Sequence, residues 1–188
     1  MHNEKTNVGD TCSATVDRGA SHEEEISLHG TYEAVCHDRF GDIKWVDVIG
    51  NLVTTVGKNF TMDTVLGNVA GGAVVMGLKG TGTAVVGNTQ ASHAAWLEVG
   101  LANLPTYSGT RKTPVFSAAA AGVKSTSTPV VFTMTGSGTV AGCFINIGGS
   151  ATVDNTTGTL FSAGDFTAGS KTVTSGDTLS VSYSATAA

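Results

Sequence analysis

Four stretches of this 188-residue chain bring together side chains that could do chemistry. Gly77-Leu78-Lys79-Gly80-Thr81-Gly82-Thr83 has the glycines and the lysine of a phosphate loop. Such a loop ends in Gly-Lys-Ser/Thr and opens a helix whose N–H groups hold the phosphate. Here Lys79 precedes Gly80 and no helical pattern follows, so a flexible strand connection accounts for it better. Ser92-His93, with Glu98 or Asp63 as orienting acid, would supply a nucleophile and a base. No Gly-x-Ser-x-Gly elbow frames the serine, and His93 reads as a turn histidine making a structural hydrogen bond. Cys36-His37-Asp38 places metal-ligand types side by side, but neighbours on a strand point to opposite faces and rarely chelate one ion. Cys12 and His22 lack the spacing of a zinc site.

Arg111-Lys112, preceded by Tyr107, is the one adjacent basic pair. Two uses are open to it: solvating a loop, or meeting an acidic patch on a neighbour. The run Glu23-Glu24-Glu25 of another copy would be such a patch. Glu23, Glu24, Glu25, Arg111 and Lys112 are therefore the candidate partner-contact residues. No catalytic residue, metal ligand or cofactor site emerges, and the chain reads as a non-enzyme.

The elements that must position these residues are built from a charge-poor sequence. Residues 125–188 carry only Asp154, Asp165, Lys171 and Asp177 as charged side chains, whereas eleven of the fifteen acids lie in residues 1–63. Leu179, Val181 and Tyr183 alternate with hydroxyl residues, the period of a half-buried strand. Leu28, Tyr32, Ala34 and Cys36 do the same. Asp38-Arg39-Phe40-Gly41-Asp42 predicts a hairpin turn, and Ile43–Val48 its return strand.

Asn51–Leu66 predicts the one helix, with Leu52, Val56 and Phe60 as its apolar stripe, Asn51 as cap and Gly67 as stop. Ala73–Leu78 suits a central strand, residues 80–95 an excursion, and 101–113 a loop. Further strands are expected at Trp96–Val99, Val115–Ala119, Val130–Thr135, Val140–Ile147, Thr159–Phe161, Lys171–Thr174 and Leu179–Tyr183. The pattern predicts an all-β fold: an antiparallel β-sandwich or jelly-roll-like domain over residues 26–188, with one short helix. Residues 1–25, polar throughout, form an extended N-terminal arm expected to lie on a partner chain.

Composition narrows the function class. The net charge of −5 argues against nucleic acid as a partner. Three cysteines at unrelated spacings are no disulfide framework; Cys36 and Cys143 read as small buried residues of a chain made in a reducing cytoplasm. The opening Met1-His2-Asn3-Glu4-Lys5 begins no apolar run, so no signal peptide is expected, and no stretch approaches the ~20 apolar residues of a membrane span. Trp45 and Trp96 sit in apolar strand patterns and read as core.

The order of segments resembles small tailed-bacteriophage virion structural proteins. Asn51-Leu52-Val53-Thr54 follows the hairpin with Lys44-Trp45. Then come Ser92-His93-Ala94-Ala95-Trp96, Tyr107 with Arg111, Val130-Val131-Phe132-Thr133-Met134, Thr139-Val140-Ala141-Gly142-Cys143-Phe144, and Ser175-Gly176-Asp177-Thr178-Leu179. The resemblance covers roughly residues 28 to 186, and residues 1–25 extend beyond its usual start. It implies a virion component without catalytic residues, foremost a capsid decoration (cement) protein on the head surface, with the major capsid protein and copies of itself, as a homotrimer, for partners. A collar, tail or head-fibre adaptor and a carbohydrate-binding module of a host-recognition structure are the rival readings.

Overall fold

The computed structural model describes residues 27–188. The predicted arm, residues 1–25, and with it Glu23, Glu24, Glu25, Cys12 and His22, lies outside the described residues.

The described residues fold as an all-β, antiparallel sandwich with one short helix. In chain order the elements are β1 (Leu28–His37), β2 (Ile43–Val53), α1 (Thr55–Val65), β3 (Val74–Lys79), β4 (Glu98–Val99), β5 (Val123–Ser125), β6 (Val130–Thr133), β7 (Gly138–Val140), β8 (Gly142–Ile147), β9 (Thr159–Asp165), β10 (Lys171–Val173) and β11 (Thr178–Ala187). Hydrogen bonds link them as β4-β3-β8-β9-β2-β1-β11-β5, with β6 also on β11 and a separate β7–β10 ribbon. β2 carries the chain from one layer to the other. Residues up to Asn51 pair with β1, while Leu52 and Val53 pair with Ala163 and Ser162 of β9.

Alternation decides which residues enter the core. Tyr32, Ala34, Cys36, Ile49, Phe132, Leu179, Val181 and Tyr183 point inward from the first layer; Met76, Leu78, Cys143 and Ile145 meet them from the second. The thiols of Cys36 and Cys143 are buried here, as expected, and unpaired. The intervening residue Phe144 faces the other way. With Leu160, Ala163 and Trp96 it forms a smaller cluster on the outer face of the second layer. The excursion of residues 80–96 covers that cluster, and His93 stacks on Trp96 and sits 3.0 Å from its carbonyl oxygen through Nδ1. Trp45 is half-buried, edge-on to Phe166 at 5.3 Å.

Three sequence expectations need correction. The helix starts at Thr55, not Asn51, because Leu52 and Val53 finish β2. Thr54 is the N-cap, its hydroxyl accepting from the Gly57 N–H. Gly57, which intrinsic propensity counts against the helix, is the only fully buried helix residue. A Cβ there would run into the Phe161 carbonyl oxygen, so its lack of a side chain lets α1 seat on β9. Residues 115–119 are not a strand and make only the single bridge Phe116–Thr126. Gly67 does end the helix, at φ 78°. No helix among the described residues is long and apolar enough to cross a membrane.

Candidate functional site

The buried charges come first, since catalysis would need some of them free. Arg111 is not a surface residue. Its side chain is fully enclosed, with Nε and Nη2 donating to Glu98 Oε1 and Oε2 at 2.8 and 2.6 Å. Nη1 donates to the Ser150 carbonyl and Nη2 also to that of Asn155. Glu98 Oε2 accepts in addition from the Asp154 N–H at 2.8 Å. This bidentate pair, with the two carbonyls, satisfies four of the five guanidinium N–H groups and offsets the cost of burying the charge. It ties β4, the loop around Arg111 and the loop of residues 150–155 together.

Arg111, read from the sequence as a partner-contact residue, is placed inside the fold, its guanidinium bonded to Glu98 and to the carbonyls of Ser150 and Asn155. Lys112 is partly exposed, but its ammonium donates to the Ser108 carbonyl at 2.5 Å and lies over the Tyr107 ring. The acids proposed to face this pair, Glu23–Glu25, fall outside the described residues.

Lys79 is likewise no phosphate ligand. Its ammonium is buried and bonded to Asp165 and to the carbonyls of Gly80 and Gly82. Lys44 pairs with Asp177 at 2.5 Å and Lys171 with Asp47 at 2.9 Å. Each charged residue after position 124 is thus engaged within the fold. Asp165, Lys171 and Asp177 belong to these pairs, and Asp154 accepts weakly from the Ala102 N–H. Burial works against the Asp47 carboxylate, but Lys171 and the Ala168 N–H outweigh it and hold its pKa below the usual range. Burial raises Tyr107 and Tyr32 well above an ordinary phenol and Tyr183 to about 12. These groups stay neutral and none is poised to transfer a proton near pH 7. Among the described residues, no group of three or more His, Cys, Asp and Glu is placed to hold a metal ion.

What the molecule presents instead is one uncovered sheet face. The excursion hides the outer side of the second layer; nothing among the described residues hides that of the first. Register sets its pattern. Val46, Val35, Ser180 and Val131 form one row across β2, β1, β11 and β6. Val46 and Val131 are 56% and 49% exposed. The next row is Val48, Glu33 and Ser182, and the third is Gly50, Thr31, Ser184 and Ser125, the last two bonded hydroxyl to hydroxyl at 3.0 Å. Glu33 is the one carboxylate across these rows. The face is hydroxyl-rich and crossed by a valine row.

The sequence alternation pointed to such a surface at β11, but not to its extent, which depends on which layer the excursion covers. No protein-family profile matches the chain, and no curated protein or solved structure matches it either.

Proposed function

We propose that this protein is a non-enzymatic virion structural protein of a tailed bacteriophage, a decoration protein that packs on the outer surface of the head. The observation that carries the reading is the division of its charges and surfaces. The buried ionic groups are consumed in ties between loops and strands, while the uncovered sheet face offers small hydroxyl and aliphatic side chains with a single carboxylate.

Such a surface has the chemistry of a packing interface rather than a reaction site. The resemblance of its segment order to that of small virion proteins suggests the setting. A protein binding the assembled lattice and not the free capsid subunits stabilises the shell by mass action. In this reading residues 1–25 are the attachment element, and the partners are the major capsid protein and further copies of the chain.

Copy number in purified particles tests the reading. Quantitative mass spectrometry of virions from the phage that encodes the chain should find on the order of hundreds of copies per head, as many contacts of individually modest affinity require. About a dozen copies would place it at a vertex or tail instead, and absence from the particle would end the virion reading.

A further inference from the structure

Helix α1 is built as half of an interface. Of its eleven residues only Gly57 is fully buried, and its main packing partner among the strands is β9. Its sequence, Thr-Val-Gly-Lys-Asn-Phe-Thr-Met-Asp-Thr-Val, is poor in strong helix formers. An eleven-residue helix of this composition is marginal without packing on an apolar face. Yet the apolar residues at the i, i+3 and i+4 positions of its last turns face solvent. Met62 is 50%, Val65 73% and Leu66 76% exposed, and Val69 just beyond the cap is 40% exposed. The charges are also set against the helix dipole: no acid lies in the first turn and no base in the last.

We infer that this apolar end of α1 docks on the same helix of a second copy, in an antiparallel, two-fold arrangement. Three observations select that occupant. The cluster of Met62, Val65 and Leu66 carries no charge, and half-buried Asp63 lies about 100° round the helix from Met62, on the flank of the stripe, so a copy stacks on the cluster without the direct like-charge contact that Glu33 would create if two sheet faces met. Lys58, the one charge on the exposed stripe, lies a full turn before Met62. In a pair centred near Thr64, two such lysines stand about 18 Å apart, beyond the screening length at physiological salt. Gly71 and Gly72 follow the helix end and are exposed, giving the partner's first turn small residues to lie on.

The exposed patch is on the order of 500 Å², and doubling it gives about 1,000 Å², the lower bound of a specific interface. The pair should therefore be weak and reversible, and should be reinforced wherever copies are held side by side. This inference deepens the packing role proposed above and replaces the expected trimer by a pair.

Sedimentation equilibrium of the purified full-length chain tests it. The expected result is a concentration-dependent shift from 19.0 kDa to twice that mass. L66D should weaken the association by more than about tenfold while far-ultraviolet circular dichroism stays unchanged, because Leu66 is exposed in the single chain; V65K is the second variant, with the same expectation. A strictly monomeric wild type up to about 200 μM, a concentration at which even a weak pair of about −5 kcal/mol is detectably populated, a trimer, or a dimer indifferent to both substitutions would overturn it. A monomer that still occurs in hundreds of copies on virions would remove the pairing and leave the virion reading standing.

Discussion

Glu98 and Arg111 are joined by two parallel hydrogen bonds, at 2.8 and 2.6 Å, in a place neither side chain can leave for water. Removing one partner leaves the other charged and buried. Arg111→Met or Glu98→Leu should destabilise the fold by about 3–5 kcal/mol, whereas the two changes together should cost far less than the sum. Urea unfolding of the four chains measures the coupling. Additive losses would mean that the two side chains do not act as one tie.

The seat of α1 on β9 makes a second prediction. Gly57→Ala should improve helix propensity by about 1 kcal/mol, yet its Cβ meets the Phe161 backbone. The clash dominates, and a net loss of about 1–2 kcal/mol is expected in thermal or urea unfolding. A stabilised variant would show that the helix does not rest against Phe161.

Acid sensitivity follows from two carboxylates. Asp38 is held below its usual pKa chiefly by the Asp42 N–H, with the Phe40 and Gly41 N–H groups adding to it; Asp47 is held down against burial by Lys171 and the Ala168 N–H. A depressed folded-state pKa gives stability that is present above the unfolded value, about 3.9, and is lost as pH falls through the folded value. The urea midpoint should therefore fall below about pH 4. Asp47→Asn should flatten that decline while lowering stability at pH 7. An unchanged acid limb in the variant would contradict the Asp47–Lys171 assignment.

Both core thiols are buried, and burial raises Cys36 to about 11 and Cys143 further still. Thiolate is scarce at either site at pH 8. Iodoacetamide should leave both unmodified in the native chain and label both in denaturant, as read by peptide mass spectrometry. Rapid native labelling of Cys143 would place it outside the core.

How much of this was legible in the sequence depended on whether the signal was local. Leu28, Tyr32, Ala34 and Cys36 announced β1, and Asp38–Asp42 its turn, because period and turn chemistry are properties of neighbouring residues. Leu52 and Val53 misled: they fit a helical stripe with Val56 and also a strand end, and pairing with β9 decided the matter. Arg111 and Lys79 were invisible as core residues because their partners, Glu98 and Asp165, are distant in sequence. The hint available was Glu98 itself, a lone acid inside the apolar Trp96–Val99 run, which must find a cation if that run is buried. The uncovered face was half legible: the hydroxyl alternation of β11 showed it, but the valine row depends on cross-strand register.

The central claim, that this chain works by covering a phage head, is tested most directly by co-sedimentation with heads that lack it. Purified full-length protein should bind such heads saturably and raise their disruption temperature, and the chain without residues 1–25 should stay in the supernatant. Full-length protein that remains in the supernatant at saturating concentration, leaving head stability unchanged, would contradict that claim.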